Sequence, residues 1–226
     1  MLQGISAVAF DLDGTLYPNY RLNIRLLPFL FWRCRFMLAF GRARDIIRRE
    51  QAQMPQSYKL DFYERQAQLV AEQLKARKEK IRDKIDRLIY RGWEPFFFKI
   101  KLFPHVKEVL GELRAAGLKL GLLSDFPPEA KLEHLGLSSL WDTVLCTESI
   151  GALKPALQPF EELAKALDCP AEKILYVGNS RRYDVEGSKR AGMKTALLHT
   201  GFPVITGIKA DFTFRNYRQL RNFMLQ

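Results

Sequence analysis

Cysteine is scarce in these 226 residues: Cys34, Cys146 and Cys169 stand far apart and form no CxxC pair. That spacing excludes a zinc-ribbon site and a disulfide framework, and predicts reduced, partly buried thiols in a cytoplasmic protein. The N-terminus lacks a basic stretch followed by an apolar run and a small-residue cleavage site, so no secretory signal is expected. Long apolar runs are missing too. The richest segment, "FLFWRCRFMLAF" at residues 29–40, is interrupted by Arg33 and Arg35. It is too short to span a bilayer, and each arginine would cost about 2.5–3.5 kcal/mol at the bilayer centre. It reads as a helix buried in its surroundings or lining an entrance, with a homo-oligomer contact and an interfacial membrane helix as alternatives. Internal repeats and low-complexity linkers are absent.

Acidic residues are in short supply in one place only. The net charge is +11, and residues 17–103 hold 20 Lys and Arg against 9 Asp and Glu, while the rest of the chain holds 16 of each. A break that clean predicts a separate unit inserted after residue 16. A basic unit suggests nucleic acid or an anionic surface, but the interleaved acids argue against nucleic acid. The insertion reads as helices only. Asp61 with Glu64 forms a capping-box pattern, and Tyr63, Ala67, Val70, Leu74, Ile81, Ile85 and Leu88 keep helical spacing, as one long helix or as two with a break near Arg77.

Outside the insertion, apolar runs alternate with helical spacing. Strands are predicted at Ile5–Phe10, Leu118–Leu123, Val144–Thr147, Ile174–Val177, Thr195–Leu198 and Phe212–Phe214, with helices between them. Strands separated by helices imply a doubly wound parallel α/β sheet, whose ligands bind at the C-terminal strand ends.

The first strand runs into "DLDGTLY", residues 11–17. Alternation along a strand sends Asp11 and Asp13 to one face, where like charges repel. A divalent cation would relieve them; a solvated Asp-Gly turn is the plainer alternative. Other strand ends carry matching polar groups: Ser124 and Asp125 after "LKLGLL", Lys154 in "GALKP", Asn179 and Asp184 after "KILYVG". In this order the four motifs resemble the haloacid dehalogenase-like hydrolases, specifically the phosphatases with a helical cap inserted after the first motif.

The resemblance implies a Rossmann-like catalytic core of residues 1–16 and 103–226 and an inserted basic helical cap of residues 17–102. It implies a Mg2+-dependent phosphatase that cleaves a small phosphorylated metabolite through an aspartyl-phosphate. Asp11 would be the nucleophile and Asp13 the general acid and base. Gly14 and Thr15 fit a tight turn beside the site. Ser124 with the amide of Asp125 would bind phosphoryl oxygens, and Lys154 would hold their charge and steady Asp11. Magnesium would take oxygens from Asp11, the Asp13 carbonyl and Asn179, with Asp184 helping directly or through water.

The sequence departs from the family where Asn179 stands in place of the usual acid, which removes one charge from the metal site. Arg181 and Arg182 are expected to pair with Asp184 or Glu186, with an anionic substrate as the alternative. A dehalogenase would need no metal and would lack Asp13; a phosphomutase would share the motifs. A binding protein on a retired hydrolase scaffold, holding nucleic acid or lipid through its basic cap, is the rival from another class. Phe29, Trp32, Phe36 and the segment 93–99 could stack on a planar substrate or simply pack a helix core.

Overall fold

The computed structural model describes residues 4–21, 24, 27, 33–53, 61–92, 94–97, 99–199, 201 and 208–226. In chain order its main elements are β1 (Ala7–Phe10), α1 (Cys34–Gln53), α2 (Phe62–Leu74), α3 (Lys78–Ile85), α4 (Val106–Ala115), β2 (Lys119–Ser124), α5 (Glu129–Leu135), β3 (Thr143–Cys146), α6 (Thr147–Ile150), α7 (Gln158–Ala166), β4 (Ile174–Gly178), α8 (Glu186–Arg190), β5 (Lys194–Leu198), β6 (Phe212–Phe214) and α9 (Tyr217–Leu225). The strands are apolar on both faces, as covering helices require.

All six strands are parallel, in the order β3-β2-β1-β4-β5-β6. Phe10 pairs with Leu122 on one side and Val177 on the other. The chain builds outward from β1 first through β2 and β3, then through β4 to β6. The order therefore switches direction beside β1, and such a switch leaves a crevice at the C-terminal strand ends.

One face buries Val8, Phe10, Leu122 and Val177 against Val109 and Leu113 of α4 and Leu220 and Met224 of α9. The other buries Ala7, Ala9, Leu123 and Tyr176 against Phe160 and Leu163 of α7. Neighbouring residues of β1 divide between these faces, as the two-residue repeat of a strand demands.

A third cluster is built from α1, α2, α3 and the turn that follows: Phe36, Phe40, Ala43, Ile47, Phe62, Val70, Ile81, Ile85 and Ile89. The helical expectation for this stretch therefore holds among the described residues, and the break near Arg77 is real. Lys75 takes a left-handed conformation that ends α2, and α3 begins at Lys78. Helix α3 runs on into π-helical turns at Asp86–Tyr90. The capping box is only half formed. Asp61 accepts from the amides of Tyr63 and Glu64, but the Glu64 carboxylate pairs with Lys78 and Arg82 instead.

The ends of this helical stretch return to the sheet. The Phe103 amide donates to the Leu16 carbonyl at 2.9 Å, and Tyr17, Phe97 and Ile100 pack in the sheet cluster rather than with the helices. Of segment 29–40, residues 29–32 lie outside the described residues. Phe36, Ala39 and Phe40 are buried in the third cluster, while Leu38 is exposed. Trp93 and Phe98 lie outside the described residues as well. Cys146 and Cys169 are buried, but Cys34 is exposed at the start of α1, against the expectation of partial burial. Among the described residues no helix is long and apolar enough to cross a membrane.

Gly187 in α8 shows how closely the layers pack. A Cβ there would lie 2.3 Å from the Phe160 ring, with the Pro155 backbone 3.1 Å behind. Overpacking a filled core costs about 1–3 kcal/mol, so Gly187→Ala should lower the urea midpoint by that equivalent with an unchanged m-value. An unchanged midpoint would mean that α7 and α8 are less tightly held.

Candidate active site

Asp11 follows β1 immediately and is buried. Its Oδ1 accepts from Lys154 Nζ at 2.7 Å and its Oδ2 from Thr15 Oγ1 at 2.7 Å. Lys154 is buried too, and donates to Asp184 Oδ1 at 2.8 Å and to the Tyr176 hydroxyl and the Leu123 carbonyl, each at 3.3 Å. One ammonium thus joins two carboxylates that arrive from the ends of neighbouring strands. Burial pushes the Asp11 carboxyl up to about 7; Lys154 pulls it back, and the charges of Asp184 and Asp13 add to the rise. Burial opposes the Lys154 charge, but Asp11 and Asp184 outweigh it and hold that ammonium well above the usual lysine range.

Asp184 serves the loop after β4 as well. Its Oδ2 accepts from the amides of Asn179 and Ser180 at 3.1 and 2.9 Å. Gly178 makes this possible, because a Cβ there would sit 2.3 Å from Asp184 Cβ. Both Asp184 oxygens are therefore engaged. Glu186 pairs with Arg190 and Asp184 with Lys154, and neither contact involves Arg182, for which either acid was the expected partner. Arg182 instead stacks over the Tyr183 ring.

Asp13 turns its carboxylate toward Lys131 and Tyr17. Lys131 Nζ lies 2.5 Å from Oδ1, and the Tyr17 hydroxyl donates to the same oxygen. The Asp13 carbonyl faces the Asn179 side-chain amide at 3.2 Å. Between them Gly14 has φ +91°, and a Cβ on it would lie 1.9 Å from the Asn179 side chain. Only glycine satisfies both the turn and that approach. A half turn of the Asn179 amide presents its oxygen in place of its nitrogen. Asp11, the Asp13 carbonyl and Asn179 then offer hard oxygens of the kind magnesium takes. Among the described residues, no group of three or more His, Cys, Asp or Glu side chains is arranged to hold a metal, so any such site depends on those carbonyl and amide oxygens.

Ser124 ends β2 fully buried, its Oγ accepting from the Phe126 amide at 3.2 Å. Asp125 turns its carboxylate to Thr147, the Lys154 amide and Arg48. Oδ1 accepts from Thr147 Oγ1 at 2.9 Å and from the Lys154 amide at 3.4 Å, and Oδ2 pairs with Arg48 at 2.9 Å. Burial opposes that charge, but Lys154, Arg44 and Arg48 hold Asp125 below the usual carboxylate range. Arg44 is buried among Glu148, Gln66, the Asp125 carbonyl and the Phe126 ring, 4.2 Å away. Helix α1 is thereby fastened to the loop after β2 and to α6, which follows β3.

Asp11, Lys154 and Asp184 therefore meet in one network, Asp13 and Asn179 meet beside it, and Ser124 and Asp125 line its β2 edge. The arginines of α1, Tyr17, Tyr176 and Lys131 were missed by sequence reasoning. Periodicity marks α1 as a helix, but nothing in the sequence says which of its many arginines turns toward the sheet.

The fold is a doubly wound parallel α/β domain whose polar residues gather at the switch point. The chain belongs to the haloacid dehalogenase-like hydrolase family, whose model matches residues 5–192. It is 29% identical over 203 residues to the glyceraldehyde 3-phosphate phosphatase of Methanopyrus kandleri, covering 87% of this chain and 85% of that protein. It is 27% identical over 217 residues to the phosphoglycolate phosphatase of Salmonella paratyphi A, covering 89% and 84%. In structure it is similar to the L-2-haloacid dehalogenase of Xanthobacter autotrophicus, with a TM-score of 0.67 at 18% identity over 97% of this chain and 98% of that one. It is equally similar to a phosphatase of this family from Thermococcus onnurineus, with a TM-score of 0.65 at 23% identity over 98% of each chain. These structural likenesses establish the fold.

Removing the Asp125 charge should loosen α1 from the sheet. Hydrogen bonds to charged groups contribute about 1.5–3 kcal/mol, and Asp125→Asn should lose that order of stability at pH 7. Because the folded-state pKa is depressed, the contribution is present above about pH 4 and fades as pH falls through the folded pKa. Urea melts at pH 7 and at successively lower pH should show the two proteins converging. A difference independent of pH would assign the loss to packing.

Proposed function

We propose that this chain is a magnesium-dependent phosphatase that hydrolyses a small phosphate monoester through an aspartyl-phosphate on Asp11. The observation that carries this reading is the buried Lys154 ammonium joining Asp11 to Asp184 at the switch point of the sheet. The names of the relatives, phosphatases of phosphoglycolate and glyceraldehyde 3-phosphate, support the substrate class.

A phosphate monoester resists attack because its oxygens carry charge, so the site must supply a nucleophile, an acid and compensating positive charge. An Asp11 oxygen attacks phosphorus as the bond to the ester oxygen breaks, and Asp13 gives that departing oxygen a proton. Water then attacks the acyl phosphate, Asp13 takes its proton, and the bond between phosphorus and Asp11 breaks to release phosphate. Lys154 holds Asp11 in position and offsets charge on the phosphoryl oxygens, with Ser124 and the Asp125 amide as donors. Asp11, the Asp13 carbonyl and Asn179 would hold the magnesium, with Asp184 ordering the loop that carries Asn179. When bound, the ion acts as a Lewis acid on the phosphoryl group and relieves repulsion between the carboxylates.

The helical insertion, residues 17–102, acts as a cap on the core of residues 1–16 and 103–226. Its buried arginines fasten it beside the site, where it would exclude water and choose the substrate. The alternative, an inactive scaffold that binds an anionic partner, is less well supported by the charge pattern. Arg44, Arg48, Arg65, Lys78 and Arg82 of the insertion already pair with carboxylates.

Asp11→Asn should lower turnover of p-nitrophenyl phosphate about 10³-fold or more while the thermal melting curve stays cooperative; retained activity would refute the nucleophile assignment. The pH profile gives a second check. Asp11 must be ionised to attack, and with Lys154 alone beside it, and no metal ion, it holds its proton up to about 7. At limiting magnesium kcat/KM should therefore fall as pH drops through 7, and saturating magnesium should move that acid limb to lower pH. A limb that ignores magnesium would place the ion elsewhere.

A further inference from the structure

Lys131 has no part in the chemistry described so far, yet it is a nearly buried lysine beside the reacting carboxylates. It stands on α5, and its Nζ lies 2.5 Å from Asp13 Oδ1. The Phe126 and Phe97 rings flank the ammonium, with centroids 5.8 and 6.0 Å away. Tyr17 already holds the same Asp13 oxygen, so orienting that carboxylate does not require a cation. Burying an ammonium is costly even beside one carboxylate, and a second anion brought by a substrate would offset more of that cost. A methionine of similar length would fill the space between the two rings at no such cost.

We infer that Lys131 is a specificity residue whose ammonium binds a carboxylate carried by the substrate on the carbon that bears the phosphate. This rests on the phosphatase reading, with Asp13 as the acid that serves the leaving oxygen. A proton donor works within about 2.6–3.2 Å of the atom it protonates. A cation in contact with that donor therefore lies on the order of 5 Å from the leaving oxygen, the reach of a carboxylate one carbon away. A lysine ammonium carries three donors, enough to hold Asp13 and a second oxygen together. Only 11% of the Lys131 side chain and 21% of the Asp13 side chain are exposed, so the ion pair retains more of its strength than it would at the open surface.

The test compares phosphoglycolate with ethyl phosphate, which lacks the carboxylate, at saturating magnesium. Wild type should prefer phosphoglycolate in kcat/KM. Lys131→Met should reduce that preference about tenfold or more, chiefly by raising KM for phosphoglycolate, and Lys131→Arg should keep most of it. Equal losses on both esters, or a wild type with no preference, would overturn the inference and leave the phosphatase reading standing. A wild type that turns over neither ester would overturn both. Should Lys131→Met fail to fold, inhibition of the wild type decides. Glycolate should inhibit p-nitrophenyl phosphate turnover at concentrations where ethylene glycol does not, and equal behaviour of the two would reject the carboxylate site.

Discussion

Two carboxylates can both stay ionised at the buried end of a parallel sheet only if positive charge stands between them, and in this chain that charge is Lys154. Asp11 and Asp184 come from loops after β1 and β4, strands that are hydrogen-bonded neighbours, so the sheet alone would drive their charges together. The ammonium reverses the sign of that encounter. What would be repulsion in a medium of low dielectric becomes two charge-assisted hydrogen bonds, and these are stronger than neutral ones. Asp184 then has its second oxygen free to bind two amides of the Asn179 loop. The position of Asn179 thus descends from Lys154 through one carboxylate.

The same lysine joins the sheet to the helical insertion. Its backbone carbonyl accepts from Arg48 and its backbone amide donates to Asp125, which in turn pairs with Arg48. Arg44, one turn earlier on α1, is sealed between Glu148 and the Phe126 ring. A buried ion pair of this kind adds little net stability, but breaking it leaves a charge with no partner. Its effect is to fix geometry: α1 cannot slide over the strand ends without exposing or orphaning an arginine. The site and the element above it are therefore held by one continuous set of charges.

Much of this was legible in the sequence because strand ends in a parallel sheet are forced to converge. Once the six strands were read in order, Asp11, Ser124, Lys154 and Asn179 had to approach one another, whatever the details of the loops. Strand edges were set to within a residue or two, since apolar runs stop where the chain leaves the core. Less could be read where a side chain's target lies in another element. Asp125 looked like part of the phosphate-binding turn, but its carboxylate belongs to α1. Glu64 matched a capping box, but two nearby cations compete for it. Tyr17 and Phe97, at the ends of the insertion, pack with the sheet because the two chain segments meet at Leu16 and Phe103. Lys131 was invisible for a related reason: a lysine on a short helix carries no pattern, and only the packing of α5 aims it at Asp13.

The charge at the strand ends also bears on why an amide can stand at position 179. With their carboxyls ionised, Asp11, Asp13 and Asp184 contribute three negative charges, and Lys154 and Lys131 contribute two positive ones, each in direct contact with a carboxylate. Without Lys131 the cluster would be more negative by one unit, and a divalent ion would find a stronger site there. With it, some attraction is lost, and an aspartate at 179 would restore it at a position where Gly14 permits contact closer than any side chain bearing a Cβ would allow. An added carboxylate at that range would face the Asp13 carbonyl across 3.2 Å, oxygen against oxygen, unless a cation always lay between them. An amide can donate to that carbonyl or, turned over, accept beside it. Asn179 thus satisfies the Asp13 carbonyl both with and without an ion, where a carboxylate would need a cation, a water or a proton between the two oxygens.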